Sequence, residues 1–259
     1  AAPCYVSTNG KEVLTANYSG GNMSVFRLRK DGTLSPAEAL FKGTANGPDT
    51  IRQIVPHIHC ALFSPDGKYI FATDFSADRI LRFTLSSEGN ISRLPGEATG
   101  IAPDSGPRHL TFSPNGKFAY LINELSGKVI TFGYTDGTLE QIQSIAADSL
   151  QARGSADIHL SPDGKFLYAS NRLEGDGIAI FTVDTVNGTL TRAGYQPTGI
   201  HPRHFNITPN GKYLLAACRD SNVIQVYERD TENGLLRDTQ QDILIDKPVC
   251  VQFIPPFHN

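Results

Sequence analysis

Ser64-Pro65-Asp66-Gly67-Lys68 recurs as Ser113-Pro114-Asn115-Gly116-Lys117, as Ser161-Pro162-Asp163-Gly164-Lys165 and as Thr208-Pro209-Asn210-Gly211-Lys212. Ser7-Thr8-Asn9-Gly10-Lys11 is a degenerate first copy. A short apolar run leads into each copy, and a second follows at once, such as Tyr69-Ile70-Phe71-Ala72 or Phe166-Leu167-Tyr168-Ala169. A few polar residues and a third apolar run come next. That run ends at Asp31-Gly32, Glu88-Gly89, Asp136-Gly137, Asn187-Gly188 or Asn233-Gly234. Asn-Gly and Asp-Gly pairs tolerate positive φ and close tight hairpins. A fourth, more polar segment completes the unit. Four antiparallel strands repeating about every 48 residues are the signature of a propeller blade. A helical solenoid would show a 3.6-residue period, and none is visible.

The reading is therefore all-β: a β-propeller of four-stranded blades, of the seven-bladed type. The chain covers five blades plus one extra inner strand, and residues 1–259 form a single propeller domain. The extra strand is Lys247-Pro248-Val249-Cys250-Val251-Gln252-Phe253, which is similar to Ala2-Pro3-Cys4-Tyr5-Val6. An innermost strand without its three partners leaves ladder groups unpaired. The expectation is that about 80 to 100 residues before Ala1 supply an N-terminal blade and complete the closing one, since seven such blades need roughly 340 residues.

The Ile, Val, Phe and Tyr of the apolar runs suit strands. With 23 Lys and Arg against 26 Asp and Glu, the chain has no excess of positive charge for nucleic acid. No apolar run approaches the length of a membrane span. The cysteines at 4, 60, 218 and 250 form no Cys-x-x-Cys pair and read as small buried thiols. That pattern, with no leader visible, favours a cytoplasmic location. The assembly expected is a monomer or weak dimer.

Blade topology places a site without any motif. The inner strand runs down the channel, the Ser-Pro-Asp-Gly turn lies at the bottom, and the second strand runs back up. Eight residues before each turn glycine stand Ala2, His59, Arg108, Ala156 and Arg203. Eight residues after it stand Tyr18, Phe75, Glu124, Arg172 and Arg219. These two columns converge on one mouth of the channel. They hold four arginines, a histidine and a glutamate where neutral residues would serve the fold. His57, His109 and His204 sit one or two positions off the columns and read as supporting. His159, mid-strand beside Asp157, reads as a hydrogen-bonded core histidine. His57 and His159 join Arg203 as expected substrate-binding residues.

Arginine forks at a concave mouth suit a small anion. A histidine titrating near neutrality serves as acid or base, and an ionised glutamate facing arginines orients water or the histidine. The sequence carries no nucleophile elbow, metal-ligand set or phosphate-binding glycine loop, so neither cofactor nor metal is expected.

Pro56-His57-Ile58-His59, Gly106-Pro107-Arg108-His109, Asn123-Glu124-Leu125, Ala156-Asp157-Ile158-His159, Ser170-Asn171-Arg172 and Pro202-Arg203-His204-Phe205 together resemble the motifs of the propeller-type 6-phosphogluconolactonase family. The resemblance runs in order along the whole chain. It implies hydrolysis of a sugar lactone, 6-phosphoglucono-δ-lactone to 6-phosphogluconate, a step of the pentose phosphate pathway, with a small anionic sugar lactone as the partner. The fungal carboxy-muconate cyclase belongs to the same superfamily. Its acid–base and anion-binding positions correspond by motif to His59, Arg108, Glu124 and Arg172. These four are the expected catalytic residues, with His59 or Glu124 as the base and Arg108 or Arg172 at the oxyanion. A lactonizing cycloisomerase and a non-catalytic binding scaffold are the alternatives; the absence of Trp and the charged mouth weigh against the scaffold.

Overall fold

The computed structural model describes residues 2–254. Five antiparallel sheets follow one another along the chain. From the channel outward, the strands of blade 1 are Pro3–Thr8, Glu12–Asn17, Asn22–Arg27 and Ala39–Lys42. Blade 2 has Ile58–Phe63, Tyr69–Asp74, Arg79–Leu85 and Ile91–Gly100. Blade 3 has Pro107–Phe112, Phe118–Asn123, Lys128–Thr135 and Thr138–Ala146. Blade 4 has Ser155–Leu160, Phe166–Asn171, Gly177–Val183 and Leu190–Pro197. Blade 5 has Pro202–Ile207, Tyr213–Cys218 and Val223–Arg229, with an outer strand in two pieces, Leu236–Asp238 and Ile243–Leu244. The repeat units read from the sequence are these sheets.

The Ser-Pro-Asp-Gly-Lys turn satisfies its own backbone. In blade 2 the Ser64 hydroxyl donates to Asp66 Oδ1 at 2.6 Å and accepts the Tyr69 amide at 3.0 Å. Asp66 Oδ1 also accepts the Lys68 amide. Blades 3, 4 and 5 repeat the pattern from Ser113, Ser161 and Thr208. Local side-chain bonds of this kind specify a turn before any tertiary contact forms.

Blades adhere through apolar layers, one between each consecutive pair. Leu14, Met23 and Val25 of blade 1 meet Ile70, Leu81 and Phe83 of blade 2. Phe71 and Ile80 meet Leu121, Ile130 and Phe132 of blade 3. Tyr120, Ile122 and Val129 meet Leu167, Ala179 and Phe181 of blade 4. Tyr168, Ile178 and Ile180 meet Phe205, Leu214 and Tyr227 of blade 5. A second device sits at the bottom rim. Gly188, which closes the outer hairpin of blade 4, lies against the Phe118 ring of blade 3, and Gly234 of blade 5 lies against Phe166 of blade 4. Tyr120 and Tyr168 donate to the carbonyls of these two glycines. Gly137 repeats the contact on Tyr69, and Gly89 meets Glu12, the residue at the matching place in blade 1.

A β-bulge interrupts the same place in every inner strand. The register shifts between Pro3 and Tyr5, between Ile58 and Cys60, opposite Ile122/Asn123 at Arg108, between Ser155 and Ile158, and between Pro202 and His204. The bulged residues are Cys4, His59, Arg108, the Ala156-Asp157 pair and Arg203. Bulges re-aim side chains, and here they present the charged column to the channel. The loosened Cys60 amide in blade 2 is taken by the Thr73 hydroxyl at 3.0 Å, which donates to the Arg108 carbonyl of blade 3.

Two expectations are corrected. The first-blade turn is shorter by two residues: Thr8 pairs with Val13, whereas Phe63 pairs with Ile70. Counting from Gly10 therefore overshoots, and Cys4 rather than Ala2 takes the bulge position. The segment 249–253 is not a strand. It lies along the inner strand of blade 5, where Val251 donates its amide to His204 Nδ1 at 3.2 Å and accepts from Asn206 Nδ2 at 3.1 Å. No strand among the described residues pairs with it, so the extended run lacks the ladder that defines one.

Gly188 has φ +79 and no room beside Phe118, whereas Gly10 has φ +86 and open space around it. Gly188→Ala is expected to destabilise the protein by about 2–3 kcal/mol, combining backbone strain with overpacking. Gly10→Ala carries the backbone term alone, about 1 kcal/mol. Denaturant unfolding of the two variants checks the difference; equal losses would mean the blade-to-blade contact contributes nothing.

Candidate active site

The two columns converge in part: Arg219, Phe75 and Ala156 line neither cavity, and Arg219 pairs with Asp220 instead. Tyr18, Phe75, Glu124, Arg172 and Arg219 each stand one residue beyond the end of a second strand. A cavity of about 490 Å³ opens at the mouth, lined by Cys4, Tyr18, Arg52, His59, Glu124, Arg172 and Arg203 among others. A second space of about 660 Å³ continues down the channel past Arg108, His109, Asp157, His159 and His204. Pro3, Cys4, His59 and Arg203 border both. Each volume falls within the range of about 300–1,000 Å³ usual for small-molecule sites.

Glu124 is buried at the centre. Its Oε2 accepts from Arg108 Nε at 2.9 Å; its Oε1 accepts from Arg52 at 2.5 Å and lies 3.1 Å from Arg172 Nη2. Burial alone would raise its pKa, but Arg172, Arg108 and Arg52 hold it down to about 2. Burial presses Arg172 down to about 10, against the pull of Glu124 and with Arg108 and Arg203 nearby.

Histidines extend this cluster at both ends. His109 Nδ1 donates to Asp157 Oδ1 at 2.8 Å, and Nε2 faces Arg108 Nη1 at 3.3 Å. His201 Nε2 faces Arg172 Nη1 at 3.3 Å, and its Nδ1 lies 3.3 Å from Asp220. Burial and the neighbouring arginines lower both imidazoles to about 4, so both are neutral acceptors toward arginine. His59 is buried, with Nδ1 3.8 Å from Cys4 Sγ and its ring edge-on to Tyr18 and His109. Burial, then Arg108 and His109, put its pKa well below 6.5.

The remaining expected site residues separate. Arg203 borders both cavities and, among the described residues, its guanidinium makes no hydrogen bond or ion pair. Burial first, then Arg108, lowers its pKa. His57 does not reach either cavity: it stacks on the Tyr18 ring at 3.9 Å and its Nδ1 donates to the Tyr18 carbonyl at 2.8 Å. His159 lies in the channel, with Nε2 3.0 Å from Asp157 Oδ2. Asp157, His159 and His204 lie close enough to hold a metal ion. However, the Asp157 carboxylate already takes hydrogens from His109, His159 and the Phe205 amide. His204 Nδ1 accepts the Val251 amide, which leaves the neutral ring's proton on the Nε2 that a metal would need.

The sequence reading missed Arg52 and His201. Arg52 lies in the connection 43–57, the longest between blades; the others span 101–106, 147–154 and 198–201. The 57-residue interval between Gly10 and Gly67 was the available signal. His201 stands in a loop at φ +62, two residues outside the Arg203 column. The cysteine expectation also needs correction: all four are free, but Cys4 is only half-buried and Cys250 is exposed.

Over residues 1–253 the chain matches the family described as Lactonase, 7-bladed beta-propeller. It belongs to that family. The 6-phosphogluconolactonase of Formosa agariphila is 38% identical over 259 residues, which cover 98% of this chain and 73% of that protein. The 6-phosphogluconolactonase of Bacillus subtilis is 36% identical with the same coverage. The periplasmic gluconolactonase of Pseudomonas aeruginosa superposes with a TM-score of 0.91 at 33% identity, covering 98% of this chain and 73% of its own. A crystal structure from Bacteroides uniformis, provisionally named a 6-phosphogluconolactonase, gives a TM-score of 0.97 at 74% identity, covering 98% and 74%.

Removing the Glu124 carboxylate leaves three guanidiniums facing one another. Glu124→Ala should cost about 3 kcal/mol, the low end for a broken buried pair because Arg52 reaches solvent. The pH dependence has a fixed sign. His109, lowered in the folded state, loses its contribution as pH falls from 6.5 toward about 4; Glu124 loses its own as pH falls from 4.5 toward about 2. His159 is raised, because Asp157 outweighs burial, and acts in the opposite sense. His109→Gln should flatten the fall in stability between pH 6.5 and 4, read by denaturant midpoints; an unchanged slope would show that His109 keeps an ordinary pKa.

Proposed function

We propose that this chain hydrolyses the ester of a sugar δ-lactone, with 6-phosphoglucono-δ-lactone as substrate and 6-phosphogluconate as product, in the pentose phosphate pathway. The observation that carries the reading is Arg203. It is a half-buried guanidinium with no anionic partner among the described residues, at the junction of two cavities that His59 also borders. The names of the curated relatives support the substrate.

The reaction begins with water attacking the lactone carbonyl. His59 takes the proton. Its neutral ring has one nitrogen against Cys4, which leaves Nε2 for the water. Glu124 is a poor base in comparison, because both of its oxygens are paired and its pKa is about 2. It positions the arginines instead. Arg172 is fully engaged, with Nε on the Gly154 carbonyl, one Nη toward His201 and the other on Glu124. Arg108 uses Nε and Nη1 and keeps Nη2 for the developing oxyanion. As the tetrahedral intermediate collapses, the bond to the ring oxygen breaks and His59 returns the proton to that oxygen. Arg203 holds the negative charge of the substrate. His159 and Asp157 support the channel wall through His109, and His57 supports Tyr18. The assembly proposed is a monomer or weak dimer, and the free cysteines accord with a cytoplasmic setting.

A coupled assay with 6-phosphogluconate dehydrogenase reports ring opening above the spontaneous rate. His59→Ala should lower kcat about a hundredfold, and Arg203→Ala should raise KM about tenfold or more. The acid limb of kcat/KM should lie below pH 6.5, because His59 resists protonation. Wild-type rates equal to background would sink the substrate, and full activity in His59→Ala would move the base elsewhere.

A further inference from the structure

The cavity has two depths, and its arginines divide between them. His59 and Arg203 stand at the inner junction; Arg52 lines only the outer cavity, beside Tyr18, Ser19 and Leu173. Arg52 is also the most exposed of the three guanidiniums on Glu124, at 35% against 3% for Arg108 and 5% for Arg172.

The connection that carries Arg52 is fixed on both sides. Asp49 Oδ1 accepts the amides of Ile51 and Arg52 at 2.8 Å. Buried Gln53 donates to the Phe75 carbonyl and accepts the Asp49 amide. Arg153 ties Asp49 to Asp104, linking three junction loops. The guanidinium of Arg52 then lies over the Phe75 ring at 5.4 Å. Such a face contact positions a planar cation and leaves its edge free for hydrogen bonds.

We infer that Arg52 is the specificity-determining residue of the site: it takes the phosphate of the substrate while the lactone carbonyl lies deeper, against His59 and Arg108. This rests on the lactonase reading and deepens it. Glu124 does not depend on Arg52, since Arg108 and Arg172 remain on it. Arg52 can therefore turn from the carboxylate to an incoming phosphate without leaving Glu124 unpaired. In 6-phosphoglucono-δ-lactone the phosphate hangs outside the ring on C6, beside the ring oxygen, so it can reach the outer cavity that Arg52 lines while the carbonyl lies in the inner one. Arg203 borders the outer cavity as well, so both arginines face the phosphate, the one negative charge of the substrate, and Arg52 adds the fork that discriminates for it.

The test compares wild type, Arg52→Ala and Arg52→Lys on 6-phosphoglucono-δ-lactone and on unphosphorylated glucono-δ-lactone. Arg52→Ala is expected to raise KM for the phosphorylated lactone about tenfold to a hundredfold, the range for a lost charge-assisted contact. The unphosphorylated lactone should change less than about threefold. Arg52→Lys should restore part of the loss, since it keeps the charge without the fork. Equal losses on both substrates would overturn the inference and make Arg52 a positioning residue acting through Glu124. No loss on either would remove it from the site. Wild type inactive on both lactones would instead sink the lactonase reading. Calorimetric binding of inorganic phosphate would then decide about Arg52, which is upheld only if Arg52→Ala weakens it.

Discussion

Three guanidiniums share the carboxylate of Glu124, and the shape of the channel mouth depends on that arrangement. Arginines facing one another across a concave surface repel, and each carries a large desolvation cost when buried. One carboxylate at their centre makes the cluster tolerable. The ordering continues outward through neutral histidines: Asp157 to His109 to Arg108 on one side, Arg172 to His201 to Asp220 on the other. This chain of contacts crosses from blade 3 to blade 5, so the site also fastens blades to each other above their apolar layers. Four guanidiniums against one carboxylate leave a surplus of positive charge, and Arg203 is where that surplus is free to meet a ligand.

The repeat makes such a site inexpensive to build. Each inner strand bulges at the same step and each second strand ends at the same height, so every blade offers two slots to the mouth. Adhesion is handled elsewhere, by the layers between blades and by hairpin glycines seated on aromatic rings. Most slot residues are therefore relieved of packing duties, and chemistry chooses them; buried Phe75 and Ala156 are the exceptions. The bulge at Arg108 and the strand end at Glu124 belong to one blade, which puts acid and base side chains within a hydrogen bond without any special loop.

Much of this was legible in the sequence. The five turns carry their own hydrogen bonds, so their positions fixed the strands, and counting from their glycines found His59, Arg108, Glu124, Arg172 and Arg203. The count failed at Cys4, because the first turn lacks two residues and a fixed offset assumes equal turns. Arg52 was invisible to the count because inter-blade connections obey no period; only the long first interval hinted at it. The roles of His57 and His159 were not readable either. Whether a histidine faces a cavity or a neighbour depends on rotamers and packing, such as the Tyr18 stack and the Asp157 contact, and no spacing encodes these. The inner strand expected at 247–253 had the right residues, but strand structure needs a partner as well as a pattern.

The most direct test of the account is a crystal structure of the protein soaked with 6-phosphogluconate. The product should lie in the mouth, its carboxylate against His59 and Arg108 and its phosphate within hydrogen-bonding distance of Arg203 and Arg52, with Glu124 still held by Arg108 and Arg172. Product bound elsewhere on the propeller, or an empty mouth at saturating concentration with Arg203 unengaged, would contradict it.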